Sequence, residues 1–166
     1  MKGMVFTEFL ELVEARFGLE VCDRIIRTSD LPSGGSYTAV GTYDYRELSQ
    51  LVAALASEAG RTEAELVRSF GEHLFTRFVE LYPAFFAGVT DGVEFLRSIE
   101  NHIHVEVRKL YPDADLPQFE YHQDGDLTTV VYRSQRGLAD LAHGLIAACL
   151  RHFETQCEVE RSSVEG

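Results

Sequence analysis

Apolar side chains recur every three or four positions along most of the first 111 residues, which is the spacing of amphipathic α-helices. Phe6 and Phe9 begin this pattern, and Gly18 marks the end of the first helix, because glycine readily adopts the backbone conformation that follows a helix. Thr62 and Glu65 have the spacing of a helix-opening capping box. The predicted helices span residues 2–17, 19–28, 45–59, 63–81, 92–111 and 138–153.

Apolar and polar residues alternate in two stretches near the middle of the second half, residues 117–123 and 127–134. The sequence DGD separates them, and a short turn of this composition between alternating stretches is typical of an antiparallel β-hairpin. The sequence CEVE at residues 157–160 is expected to begin one more strand.

These elements predict an α+β fold in a single domain, residues 1–166, which is long enough to bury a substantial core. The expected arrangement is a helical part over residues 1–90, followed by an antiparallel sheet with helices over residues 91–166.

Composition narrows the function classes. The formal net charge is −12, and phosphate backbones are bound by clustered Lys and Arg, so we expect no nucleic-acid partner. The apolar runs are far shorter than the about 20 residues of a membrane helix. The N-terminal sequence MKGMVFTEFLEL starts an amphipathic pattern without the basic, apolar and small-residue regions of an export signal. We therefore predict a cytoplasmic protein with no membrane association.

The predicted helix over residues 92–111 carries two histidines, His102 and His104. Residues two apart on a helix point about 200° away from each other, so only one of them can face the core. His104 lies near the line of Val93 and Val107, whereas His102 lies on the polar side. His104 is the candidate metal ligand, although a histidine on an apolar helix face is more often an ordinary core residue.

A second candidate feature lies in the stretch LTTVVYRSQRG. If the strand continues, Tyr132, Ser134 and Arg136 alternate and present two hydroxyl groups and a guanidinium on one face. Such a row can bind carboxylates, and an acidic protein holds an anionic ligand only through cations placed for that purpose. In isolation, the same residues would most often be the solvent-exposed face of an edge strand.

Four motifs together resemble the haem-nitric oxide/oxygen binding (H-NOX) domain family, in its bacterial stand-alone form: MKG at the start, FVELYPAFFAG, HVEVRKLYPDADLPQF and YRSQRGL. The resemblance covers nearly the whole chain. It implies haem b buried between the two parts of the fold, with His104 as the iron ligand and the YxSxR residues Tyr132, Ser134 and Arg136 holding the propionates. It also implies that Pro117 presses on the haem and distorts its plane.

The resemblance places a distal pocket on the other side of the haem. Oxygen-binding members carry a tyrosine at the position that matches Leu141, and the other matching positions are also apolar here: Val5, Phe9, Leu74, Phe78 and Leu145. Bound oxygen is held better by a hydrogen-bond donor. The expectation is a five-coordinate ferrous haem that binds nitric oxide, and carbon monoxide more weakly, but not oxygen. A one-residue shift of register would instead bring His73 into this pocket.

The resemblance implies a sensor and not an enzyme. Nitric oxide is expected to weaken the bond between iron and His104, so that the helix carrying this histidine is released. The signal would pass to a separate effector, a sensor histidine kinase or a cyclic-di-GMP enzyme. A peroxidase-like enzyme would need a distal histidine or arginine, and none aligns there. The remaining alternative is a haem-free module of the same fold that binds another small ligand or acts as a scaffold.

Two smaller expectations concern polar side chains elsewhere. Cys149, His152 and Cys157 are close enough in sequence to supply three zinc ligands. The candidates for a fourth ligand, Cys22 and His143, are distant, so ordinary thiols are the favoured interpretation. In the first helix, the glutamates are expected to face solvent: Glu8, Glu11 and Glu14.

Overall fold

The computed structural model describes residues 1–163 and has an α+β fold, as the pattern predicts. Its seven helices are α1 (Gly3–Phe17), α2 (Leu19–Thr28), α3 (Tyr45–Ala59), α4 (Glu63–Leu81), α5 (Gly92–Ser98), α6 (His104–Leu110) and α7 (Ala139–His152). A 3-10 turn, Pro83–Phe85, follows α4, and a π-helical segment, Ile99–Ile103, joins α5 to α6. The strands are β1 (Gln118–Asp124) and β2 (Leu127–Arg133).

Local signals in the sequence fix several helix ends. Thr62 and Glu65 form the predicted capping box at the start of α4, in which each side chain bonds the other residue's backbone N–H. Asp91 accepts a hydrogen bond from the backbone N–H of Glu94 and so caps α5. Gly60 ends α3 in the left-handed conformation, with φ of 61°. These ends therefore agree with the predicted bounds.

The core consists of two apolar clusters. The first is formed by α1 to α4 and includes Phe6, Phe9 and Phe70, and the second is formed around α5 and α7 and includes Phe95 and Cys149. Leu145 packs against both clusters. Helices α4 and α7 link them, because α4 contributes to the first cluster and both helices contribute to the second.

Two glycines allow α4 and α7 to cross at very short range. A Cβ atom on Gly144 would lie 2.1 Å from the backbone oxygen of Arg68, and one on Gly71 would lie 2.4 Å from that of Leu141. Any larger side chain would force the helix backbones apart. The close crossing fixes the spacing of Leu74 and Leu141, each of which lies about one helical turn from the glycine of its own helix.

The hairpin is antiparallel, as predicted, and turns through Gly125 and Asp126. Phe119 of β1 pairs with Tyr132 of β2, and their rings are 5.5 Å apart. These residues share the half-buried face of the hairpin with Tyr121, which places an aromatic surface against the segment that contains His104.

Four sequence-based expectations are wrong in detail. The predicted helix over residues 92–111 is interrupted by the π segment, and β2 ends at Arg133, before Ser134. Residues 157–160 form no strand: they are exposed, and the sheet of the described residues consists of β1 and β2 alone. Glu8 is buried, because Arg77 of α4 reaches its carboxylate at 2.7 Å, while Glu11 and Glu14 are exposed as expected.

No helix within residues 1–163 combines the length and the apolar character needed to span a bilayer.

Candidate functional site

A large internal cavity of about 540 Å³ lies between α4 and α7 on one side and α6 and the hairpin on the other. Its wall is mainly aromatic and aliphatic, with Phe75, Phe86, Ile99 and Ile103 among the lining side chains. Cavities of about 300–1,000 Å³ with this kind of lining and a few polar groups are typical of cofactor sites.

His104 is the buried histidine of this cavity. It is the first residue of α6, directly after the π segment, and it is 7% exposed. Its Nδ1 lies 3.2 Å from Oε1 of Glu100, and its ring packs 5.9 Å from that of Phe119. His102 is exposed, beside the ring of Phe85. Of the two histidines, His104 therefore lines the cavity, and it is the one that the helical spacing predicts to face the core.

Burial lowers the pKa of His104 below its ordinary value, although the nearby Glu100 carboxylate acts in the opposite direction. A lowered pKa favours the neutral imidazole, and only the neutral ring has a nitrogen lone pair for a metal. Since the contact to Glu100 uses Nδ1, Nε2 is the nitrogen left for a ligand bond. It has no hydrogen-bond partner among the described residues.

The three residues of the carboxylate-binding row all line the cavity, but the geometry that brings them there differs from the expected one. Tyr132 lies in β2, whereas Ser134 and Arg136 lie in the turn after it. The backbone N–H of Arg136 donates to the Ser134 hydroxyl at 3.2 Å, so a side-chain turn replaces the alternation of a strand. The row is thus formed by a strand end and a turn.

The Arg136 guanidinium is held by Asp115, whose carboxylate accepts a hydrogen bond at 2.7 Å. The Arg136 side chain is 14% exposed and that of Asp115 is 83% exposed, so the pair lies at the rim of the cavity. Burial raises the pKa of Tyr132 above its ordinary value, which keeps its hydroxyl protonated as a donor. The three residues of the row therefore offer one cation and two hydroxyl groups next to an apolar interior.

Five of the six residues expected in the distal pocket line the cavity: Val5, Leu74, Phe78, Leu141 and Leu145. Phe9 does not, because it packs edge-to-face against Phe70 in the first apolar cluster, at 5.2 Å. His73 does not line the cavity either; its Nε2 lies 3.7 Å from the Glu8 carboxylate. The lining of α4 and α7 on this side is apolar.

Comparison with known proteins decides the family. Residues 2–161 match the sequence profile of the family described as Haem-NO-binding. The chain belongs to this haem-NO-binding, or H-NOX, family. Among curated proteins no relative matches the chain.

Solved H-NOX structures have the same fold. An H-NOX protein from K. algicida, in its Fe(II) unliganded form, is 42% identical over 99% of this chain and 90% of that chain, with a TM-score of 0.93. An H-NOX from Shewanella woodyi, in its Fe(II)CO form with IWP-051 bound, is 41% identical over 94% of this chain and 83% of that chain, with a TM-score of 0.81. An H-NOX protein from S. oneidensis in its Fe(II)NO form is 24% identical over 98% and 91%, with a TM-score of 0.90, and shows the shared fold.

The residues of this H-NOX chain fit the haem that its family binds. A flat apolar ring with two acidic groups needs an apolar cavity, a neutral nitrogen donor inside it and cations or hydroxyl groups at its mouth. His104 would supply the nitrogen donor, and Arg136 with Tyr132 and Ser134 would supply the cation and hydroxyl groups at the mouth of the cavity. Pro117 lines the cavity directly before β1.

Sequence reasoning missed several residues of the pocket. Glu100 is the most informative, because it lies one helical turn before His104 and this spacing alone places both side chains on one helix face. Phe119 could have been found from its alternation with Tyr121 in β1. The contributions of Phe75 and Phe86 depend on how helices pack, and no local signal marks them.

The possible zinc ligands are not brought together. Cys149 is buried, with its sulfur 3.8 Å from the backbone oxygen of Gly92, while Cys157 is exposed. The His152 ring packs against those of Phe75 and Phe153. Within residues 1–163, no three His, Cys, Asp or Glu side chains form a group suited to a metal ion.

Proposed function

We propose that this H-NOX protein is a nitric oxide sensor that binds haem b in the cavity, with His104 as the axial ligand of a five-coordinate ferrous iron. The observation that carries the proposal is the position of His104, which is buried at a large apolar cavity with Nδ1 held by Glu100 and Nε2 without a hydrogen-bond partner in the described chain. Tyr132, Ser134 and Arg136 are proposed to bind the two propionates.

The proposed preference for nitric oxide over oxygen rests on the apolar side chains of α4 and α7. Leu74, Phe78, Leu141 and Leu145 line the cavity and carry no hydrogen-bond donor. Oxygen needs a donor to be held well, whereas nitric oxide and carbon monoxide do not. Exclusion of oxygen is therefore expected from these four side chains.

The proposed output is a movement of α6. Ferrous haem, when bound, would supply an iron for His104 to hold, and binding of nitric oxide to that iron would weaken the hold. His104 begins α6 at the end of the π segment, so a change at its side chain acts on a helix end next to an irregular turn. Val105 and Leu110 of α6 are 40% and 60% exposed, which makes this helix an available surface for a partner.

A ligand that binds two conformations unequally shifts their populations, and a partner can detect the shift. We propose that the partner is a separate cytoplasmic effector, a sensor histidine kinase or a cyclic-di-GMP enzyme. Pro117 is proposed to press on the haem from the side of His104, so that loss of the histidine bond also lets the ring flatten.

Visible absorption of the purified ferrous protein tests the proposal. The expected result is a Soret band that shifts with nitric oxide and with carbon monoxide but is unchanged in air. A colourless protein, from cells that make haem, would favour the haem-free ligand-binding or scaffold module. A ferrous protein that forms a stable oxygen complex in air would contradict the proposed selectivity.

A further inference from the structure

Glu100 joins two parts of the pocket through one carboxylate oxygen. Its Oε1 accepts a hydrogen bond from the backbone N–H of Phe119 at 2.8 Å and lies 3.2 Å from His104 Nδ1. The Glu100 side chain is only 24% exposed, so water competes weakly for these contacts. The same atom therefore links the cavity histidine to the first residues of the hairpin.

The position of Glu100 in the chain supports a specific role. It lies inside the π segment Ile99–Ile103, and π-helical turns are often found at functional sites. Phe119, to which it is bonded, pairs directly with Tyr132 of β2. A single carboxylate thus lies between the candidate iron ligand and β1, the strand that pairs with the one carrying a candidate propionate ligand.

We propose that Glu100 is a positioning residue that sets how strongly His104 holds the iron and couples that bond to the hairpin. The inference rests on the haem site proposed above. A carboxylate that accepts the Nδ1–H of an imidazole fixes the orientation of the ring and makes Nε2 a more basic donor. The stronger donor opposes loss of the histidine bond when nitric oxide binds, so Glu100 adjusts the sensitivity of the switch.

Two substitutions separate the charge of Glu100 from its hydrogen bonds. Glu100→Gln keeps an oxygen that can accept from Phe119 but removes the negative charge, whereas Glu100→Leu removes both. Glu106→Gln is the matched control, because Glu106 is on the same helix as His104 but pairs with Lys109. Resonance Raman spectra of the ferrous haem-bound proteins report the iron–histidine stretching frequency directly.

The expected result is a lower stretching frequency in Glu100→Gln and a still lower one in Glu100→Leu, with Glu106→Gln equal to the parent. Nitric oxide should break the histidine bond at a rate that is higher by roughly 10-fold or more in Glu100→Gln, given the effect of such partners on metal affinity. In hydrogen exchange, the Phe119 amide should lose its protection in Glu100→Leu and keep it in the control.

An unchanged stretching frequency in both Glu100 variants would overturn the inference while leaving the haem site intact. If neither variant retains haem, the parent protein is measured instead, as its diamagnetic carbon monoxide complex. A His104 Nδ1 proton that exchanges slowly with solvent supports the inference, and one that exchanges rapidly refutes it. A parent without haem, or without an iron–histidine mode, refutes the proposed function and this inference together.

Discussion

Leu141 is the residue on which the proposed gas selectivity most depends. It is part of α7 and lines the cavity at the position where oxygen-binding members of the family are expected to carry a tyrosine. An apolar side chain at this position gives bound oxygen no hydrogen bond, so the chemistry of a single hydroxyl group separates the two kinds of sensor.

The substitution Leu141→Tyr should therefore create oxygen binding. The tyrosine hydroxyl would donate a hydrogen bond to oxygen on the iron, and the ferrous protein should show a new, air-dependent Soret band. Leu141→Phe is the control, since it adds a similar ring without the donor and should remain unchanged in air. Equal behaviour of the two variants in air would contradict the role assigned to the hydroxyl.

Arg136 gives a second prediction at the scale of one residue. Arg136→Lys keeps the charge but loses the planar pair of donors that matches a carboxylate, and a hydrogen bond to a charged group contributes about 1.5–3 kcal/mol. We expect haem to dissociate roughly 10-fold faster, measured by its transfer to an excess of an apo-globin. Arg133→Lys, at the last residue of β2 and paired with Glu120, should dissociate haem at the parental rate. The same rate in both variants would count against a propionate contact.

Among the elements, the crossing of α4 and α7 sets the width of the cavity. Gly144→Ala would place a Cβ atom 2.1 Å from the Arg68 backbone oxygen, so the helices must separate. The expected cost is about 1–3 kcal/mol, the usual range for overpacking, and it should appear as a lower midpoint of urea unfolding. Because Leu141 and Leu145 flank this glycine on α7, the Soret band should also shift. An unchanged unfolding midpoint and an unchanged Soret band would show that the crossing accommodates the added methyl group without separation of the helices.

The elements also show what the sequence can and cannot predict. The bounds of α2 to α4 follow from apolar spacing and from local caps such as Thr62 and Gly60. The π segment between α5 and α6 was not predicted, because its hydrogen bonds reach one residue further without a distinct pattern of side chains. The helical spacing nevertheless places His104 inward, since that prediction needs only the direction of one side chain.

Features that depend on distant parts of the chain were predicted less well. Glu8 looks like a surface glutamate in its own helix, and its burial becomes evident only with Arg77, which is 69 positions away. Similarly, the family resemblance implies that Phe9 lies in the distal pocket, but its packing against Phe70 places it in the core instead. The motif YxSxR identified its three cavity residues, although Ser134 and Arg136 reach the cavity through a turn and not a strand.

At the scale of the whole molecule, contacts near the N-terminus tie the helical part to the part that carries His104. The Lys2 ammonium donates to the Asp113 carboxylate at 2.8 Å and to the Thr42 hydroxyl at 2.9 Å. Asp113 follows α6 closely in the chain, so this link lies between α1 and the end of the helix proposed to move. The contacts of Lys2 therefore contribute both to the stability of the fold and to the position of the helix that is proposed to move.

Stability of the whole protein should decrease on acidification, in part through His73. Burial is the main cause that lowers the pKa of His73 below its ordinary value of 6.5, with Glu8 acting against it and Arg77 adding to it. The unfolded chain then binds the proton more readily than the folded protein. The stability that neutral His73 contributes is therefore present above the ordinary histidine pKa and is lost as the pH falls through that value.

The measurement is the free energy of unfolding in urea at several pH values from about 7 to about 5, around the ordinary histidine pKa. His73→Gln should reduce the loss of stability with falling pH, whereas His122→Gln, on the exposed face of the hairpin, should follow the parent. A His73→Gln protein whose stability falls as steeply as that of the parent would contradict this account.

The most direct test of the whole account is the visible spectrum of His104→Gly, purified with and without added imidazole. If His104 is the only protein ligand of the iron, the variant should lack the parental ferrous Soret band and regain it when imidazole occupies the space of the missing side chain. A variant that shows the parental band and the parental response to nitric oxide without imidazole would contradict the central claim.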